Sequence, residues 1–179
     1  MTEFEDTMIL VSTEKSAAAL VDELASLLIG AQWKLATAES CTGGMIAAAC
    51  TDLAGSSVWF ERGFVTYSNA AKIELLGVSQ ALTENPGAVS EPVVRAMAQG
   101  AISNSKAQIS LAVTGVAGPT GGSIAKPVGT VWFGFATPQG IVTEMRRFKG
   151  DRAAVRSATV VHALQRMVEL VAAAAAKPP

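Results

Sequence analysis

Between Thr37 and Gly44 the chain reads TAESCTGG, an acid, a hydroxyl, a thiol and a second hydroxyl in succession, closed by two glycines. Where a strand turns sharply into a helix, the turn side chain is left exposed and free backbone N–H groups converge on one spot. Such donors can hold a phosphate or the oxyanion of an acyl-transfer intermediate, with Ser40 or Cys41 beside them as nucleophile. Gly43 and Gly44 keep side chains out of the approach. The same stretch also fits a helix capped by Ser40 or Thr42, its glycines serving only tight packing.

A serine nucleophile needs a base. The single histidine, His162, sits mid-helix beside an apolar stripe and reads as a core-edge residue. In FVTYSNAAK, Tyr67 falls at the end of a strand and Lys72 in the first turn of the next helix. A lysine whose pKa is lowered by burial or by neighbouring positive charge can replace histidine, with Tyr67 as a proton relay. Taken singly, the two also read as a solvated lysine and a strand-end aromatic. A third stretch, VTGVAGPTGGSIAKPVGTV, sets five glycines between Gly115 and Gly129, with two prolines, in a shaped loop between strands. Thr114, Thr120 and Ser123 offer hydroxyls there, and the glycines expose N–H groups suited to a phosphate or a flat heterocycle. It is neither a Walker motif nor a dinucleotide fingerprint, and alone it also fits a plain glycine-rich connection.

These residues need a scaffold, and the 179-residue chain is long enough for one domain with a substantial core. We expect a single domain over residues 1–179, its core spanning about 13–171. Half the residues are hydrophobic and 16% are charged, which excludes a mostly disordered chain. A net charge of −1 with scattered Lys and Arg argues against a broad basic face for nucleic acid. One histidine and two well-separated cysteines, Cys41 and Cys50, argue against a His/Cys metal site and a disulfide scaffold. A reducing, cytoplasmic setting fits. The acidic N-terminus does not read as a signal peptide, and no apolar run is expected to span a membrane.

The spacing predicts a helix over 12–32, capped by Ser12 or Thr13 and stopped at Gly30. A short strand (33–40) leads into the TAESCTGG turn, and a small-residue helix closes at Gly55. A β-branched, aromatic strand (57–68) precedes a short helix capped by Asn69. Ser90 and an early proline open another helix, followed by a buried strand (108–118). Two strands then meet at a Pro-Gln-Gly turn. The last helix is capped by Asp151, with Val155, Ala158, Val161, Leu164, Val168 and Val171 on one face. Alternating helices and strands closed by a hairpin indicate an α/β layered domain with a mixed sheet.

Together TAESCTGG, SSVWFERGFVTYSNAAKIELLGV, GAVSEPVVRAMAQGA, AVTGVAGPTGG and KPVGTVWFGFA resemble the CinA C-terminal domain family, in order from about Leu20 to Leu164. The chain is similar to the family's stand-alone form rather than to longer members with an extra N-terminal domain. The resemblance implies a three-layer α/β/α sandwich with a mixed, largely parallel sheet, often dimeric, so a homodimer is expected. It implies hydrolysis of the carboxamide of nicotinamide mononucleotide (NMN) to nicotinic acid mononucleotide and ammonia, with no metal or organic cofactor, no nucleic acid and no membrane. By it the nucleophile falls on Ser40, and Tyr67 and Lys72 complete the catalytic set. Substrate is expected along Cys41, Thr42, Gly43 and Gly44, at Asn69, and on the loop of Thr114, Gly115, Gly118, Thr120, Gly121 and Gly122.

Within the enzyme class a second assignment makes Cys41 the nucleophile, with Glu39 as base and Lys72 as third partner. Adjacent strand side chains point oppositely, so Ser40 and Cys41 share the role only if the turn intervenes. From another class, the chain reads as a nucleotide-binding or regulatory competence-damage-inducible protein that uses both glycine loops without catalysis.

Overall fold

A computed structural model describes residues 15–176. Helix α1 (Ala17–Ala31) leads to β1 (Leu35–Glu39), α2 (Met45–Asp52), a 3₁₀ turn and β2 (Phe60–Val65). Helix α3 (Asn69–Leu76) and the one-turn α4 (Gln80–Leu82) precede α5 (Glu91–Ser103) and β3 (Ile109–Gly115). The hairpin β4 (Thr130–Thr137) and β5 (Gly140–Arg147) is followed by α6 (Arg152–Ala175). The five strands form one sheet in the order β2-β1-β3-β4-β5. Pairing is parallel from β2 through β1 to β3 and antiparallel from β3 through β4 to β5. Helices cover both faces, giving the expected three-layer α/β/α sandwich.

The two faces differ because β1, β3 and β4 alternate large and small residues with the two-residue period of a strand. Leu35, Ile109, Leu111, Val113, Phe133 and Phe135 pack with α1, α2 and α6. Ala36, Ala38, Ala112 and Ala136 pack with α5 and the end of α3. Small side chains let α5 lie close to the sheet. A Cβ on Gly134 would come within 2.7 Å of the Val94 carbonyl oxygen, and one on Gly100 within 2.0 Å of that of Leu76. Both positions require glycine for want of space.

Several helix ends differ from expectation. Ser12 and Thr13 lie outside the described residues; the α1 cap is Ser16, whose Oγ accepts from the Ala19 amide. Gly30 stays inside the helix, and Gln32 adopts the left-handed turn (φ 56°) with its amide bonded to Leu28 and Ile29 carbonyls. Helix α2 stops at Asp52, before Gly55. Ser68 rather than Asn69 caps α3, accepting from the Ala71 amide. At the two N-termini a neighbouring serine took the capping role, which spacing alone does not resolve. Asp151 caps α6 as expected, accepting from Ala154.

The buried stripe of α6 runs through Val155, Thr159, Val160, Ala163, Leu164, Met167, Val168 and Val171, leaving Ala158 and Val161 at its half-buried margins. By length and composition α6, at 24 residues, is apolar enough to cross a bilayer, contrary to expectation. That apolarity is used here to pack along α1 and the sheet. His162 stands at the edge of this packing: its ring meets Phe133 edge-on (centroids 4.8 Å apart) and its Nε2 lies 2.7 Å from Glu144 of β5.

Candidate active site

The helices after β1 and β2 diverge: α2 joins the α1/α6 layer and α3 joins α5. Neighbouring parallel strands whose following helices go to opposite faces leave a crevice at their carboxyl ends. Ser40, which follows β1, Lys72, in the first turn after β2, and Thr114, at the end of β3, all fall at that edge. A pocket of about 250 Å³ opens there, lined by Ser40, Cys41, Tyr67, Asn69, Lys72 and Thr114, together with Ala88, Val89, Gly115, Ala117 and Arg152.

Lys72 is only 1% exposed. Its Nζ lies 3.0 Å from Ser40 Oγ and 2.8 Å from the Thr66 carbonyl oxygen. Burial lowers its pKa below the ordinary lysine value of 10.5, with the Cys41 sulfur opposing. A neutral amine placed there donates to Thr66 and offers its lone pair to the serine hydroxyl. The amine therefore touches the hydroxyl it would activate.

Tyr67 does not join that pair. It is 61% exposed, at the pocket mouth, and its hydroxyl accepts a hydrogen bond of 2.9 Å from Arg152 Nη2. In this arrangement the relay expected through Tyr67 has no connection to Lys72 or Ser40.

Glu39 decides how the turn is built. It is completely buried, and its carboxylate faces the start of α2. Oε2 accepts from Thr42 Oγ1 (2.6 Å), the Gly44 amide (3.0 Å) and the Ile46 amide (3.0 Å); Oε1 accepts from the Ala47 amide (2.8 Å). The Thr42 hydroxyl and the Gly44 amide are thus turned inward and are not offered to a substrate, a correction to that part of the expectation, whereas the Thr42 amide is not among the donors to Glu39. Donors that already satisfy a buried carboxylate are not free to cradle a second anion. The same bonds remove Glu39 as a base for Cys41. Gly43 and Gly44 have positive φ (61° and 101°), the left-handed backbone that lets the chain reverse into α2.

On the other side of the turn, Arg156 Nε and Nη2 donate to the carbonyls of Cys41 (3.1 Å) and Thr42 (3.0 Å). Among the described residues the Thr42 amide has no backbone acceptor, and the Cys41 amide is engaged only by its own sulfur, so two donors lie next to Ser40. Cys41 does line the pocket beside Ser40, because the chain has already left the strand. Its thiol is pushed up to about 11, chiefly by burial, which keeps it protonated at neutral pH.

Because the fully buried Glu39 satisfies three amides and a hydroxyl, Glu39→Ala is expected to cost about 3–5 kcal/mol of stability. Glu39→Gln, which keeps one accepting oxygen, is expected to cost less. Denaturant titration checks both, and a loss below about 1 kcal/mol for the alanine would show that the turn is held by other contacts.

The glycine loop after β3 is split. Thr114 Oγ1 donates to the Ala88 carbonyl (2.9 Å), fixing one pocket wall, and Gly115 lines the floor. The Gly118 carbonyl accepts from Arg152 Nη1 (2.9 Å). Thr120, Gly121 and Gly122 are exposed and lie outside the pocket lining, a second correction. Gly122 serves the loop itself, since a Cβ there would meet the Val128 amide nitrogen at 2.9 Å. Arg152 and Arg156 were missed by sequence reasoning. The available signal was two arginines one helical turn apart just after the Asp151 cap.

With this geometry in view, comparison with known proteins is specific. Residues 17–171 match the model of the CinA C-terminal domain. The chain is 54% identical over 154 residues to nicotinamide-nucleotide amidohydrolase PncC of Enterobacter agglomerans, covering 86% of this chain and 94% of that one. It is 56% identical over 130 residues to the PncC of Escherichia coli (strain K12), covering 72% and 79%. Among solved structures, the competence/damage inducible protein CihA from Agrobacterium tumefaciens superposes with a TM-score of 0.84 at 39% identity, covering 95% of this chain and 99% of that one.

Proposed function

The chain belongs to the CinA C-terminal domain family, and from that premise we propose that it is a nicotinamide-nucleotide amidase, hydrolysing NMN to nicotinic acid mononucleotide and ammonia. The names of its relatives support the substrate. The observation that carries the chemistry is the buried Lys72 amine 3.0 Å from the Ser40 hydroxyl.

In this reading Ser40 Oγ attacks the carboxamide carbon while neutral Lys72 takes the hydroxyl proton. The oxyanion is stabilised by the amides of Cys41 and Thr42, whose carbonyls Arg156 holds in place. The lysine ammonium then gives its proton to the departing nitrogen, the C–N bond breaks, and ammonia leaves an acyl-serine ester. Water, deprotonated by the same amine, attacks the ester, and the proton returns to Ser40 as the acid is released. The direct contact supports a dyad of Ser40 and Lys72, with Tyr67 acting at the rim through Arg152. Two free, buried cysteines suit a reducing cytoplasm.

The test is ammonia release from NMN by the purified protein. Turnover with formation of nicotinic acid mononucleotide is expected. NMN that raises the melting temperature without any ammonia release would instead favour a non-catalytic nucleotide-binding module.

A further inference from the structure

The runs GAVSEPVVRAMAQGA and KPVGTVWFGFA take no part in the Ser40–Lys72 chemistry, yet their first residues meet beside its pocket. One lip of the pocket is the segment before α5, which supplies Ala88 and Val89; another is the start of the β3–β4 loop, which supplies Gly115 and Ala117. That loop is closed at its base by main-chain bonds from Val116 to Thr130 (2.9 Å) and from Gly129 to Val116 (2.8 Å). From Ala117 to Gly122 it makes no further main-chain bond among the described residues. Gly118 and Gly121 there are left-handed (φ 83° and 85°), and glycine has the widest backbone freedom. A stretch of this kind takes its position from side-chain bonds to the rest of the domain. Arg152 of α6 provides one, donating to the Gly118 carbonyl (2.9 Å). Lys126 provides the other: its Nζ donates to the Pro86 carbonyl oxygen (2.6 Å), 40 residues away in the chain.

Both ends of the Lys126 bond are held. The half-buried lysine leaves from a tight turn in which the Ser123 amide donates to the Lys126 carbonyl (3.0 Å) and the Lys126 amide to Ser123 Oγ (3.1 Å). On the facing lip, Ser90 Oγ donates to the Gly87 carbonyl (2.7 Å) and Thr114 Oγ1 to that of Ala88 (2.9 Å). The amine lies against Gly87, where a Cβ would stand 3.6 Å from Nζ. A charged donor on a carbonyl is also stronger than a neutral pair.

We infer that Lys126 is a positioning residue: it clasps the glycine-rich loop to the segment before α5 and so sets the width of the Ser40 pocket. It does not line that pocket and acts through the two lips. Without the clasp the loop samples wider positions, and a nucleotide must select the closed one, which weakens apparent affinity by the fraction of molecules that are closed. Ser40 and Lys72 are held by β1 and α3, so the chemical step is spared. The inference rests on the amidase reading only for the substrate used to observe it.

Hydrogen exchange read by mass spectrometry and steady-state ammonia release test this on wild type, Lys126→Met and Lys126→Arg. In Lys126→Met, exchange in residues 117–126 and in 83–90 is expected to speed up together, roughly 5- to 20-fold, with β1 and β3 unchanged. KM for NMN should rise by a similar factor while kcat stays within about two-fold. Lys126→Arg keeps a charged donor of similar reach and should restore most of both. A rise in KM with exchange unchanged in both segments would make Lys126 a direct ligand contact and overturn the clasp. Faster exchange with KM unchanged would leave a loop tie with no bearing on the pocket, and overturns it equally. If NMN binds without ammonia release, the amidase reading fails, and the dissociation constant takes the place of KM in the same comparison.

Discussion

Ser40→Ala is expected to abolish ammonia release from NMN, by at least about 10⁴-fold in kcat, while Cys41→Ala keeps most of it. The asymmetry follows from what each side chain touches. Ser40 Oγ is in hydrogen-bond contact with the Lys72 amine, whereas burial holds the Cys41 thiol at about 11 and the nearby carboxylate, Glu39, is fully engaged by the start of α2. A thiol in that state is a poor nucleophile at neutral pH. NMN should still bind Ser40→Ala, since the hydroxyl contributes to bond making rather than to holding the nucleotide. A Cys41→Ala enzyme as inactive as Ser40→Ala, with its fold intact, would move the nucleophile to the thiol.

Removing the amine should be nearly as damaging. Lys72→Met is expected to lower kcat by about 10²- to 10⁴-fold, the range of a general base, without unfolding the domain, because methionine fills a similar volume. Wild-type kcat/KM should fall towards low pH as Lys72 takes up a proton. Burial sets its pKa below 10.5, so the acid limb lies below that value. The sign for stability follows from the same shift. Between the lowered folded pKa and 10.5 the unfolded chain binds one proton more than the folded one, so stability rises with pH across that window. Lys72→Met removes this contribution, and denaturant midpoints measured across the window should become flatter. A pH–rate profile unchanged in shape on that substitution would assign the base elsewhere.

The elements were legible in the sequence because each rests on local regularity. The β-branched runs of β3 and β4, the small-residue helix after TAESCTGG, the Pro-Gln-Gly hairpin and the Asp151 cap are all set by neighbours a few residues apart. Helix starts were less legible, as Ser16 and Ser68 show, because adjacent residues with similar capping chemistry compete and packing chooses between them. Membership of the CinA C-terminal domain family was also legible, since its motifs lie in contiguous runs.

What the sequence could not decide is which polar groups face one another. In TAESCTGG all the hydroxyls, the acid and the thiol looked equally available. Only the tertiary structure turns Glu39, the Thr42 hydroxyl and the Gly44 amide inward and leaves Ser40 and Cys41 on the pocket. Lys72 looked like a solvated helix lysine until α3 packed against α5 and brought its amine to a serine 32 residues away. Arg152 stood out only as one of two arginines a turn apart after the Asp151 cap, yet it crosses 85 residues to Tyr67 and borders the Ser40 pocket. Local spacing fixes which residues lie on one helix or strand. Burial, and with it the charge state of an amine or the freedom of an amide, depends on surfaces brought together from distant parts of the chain.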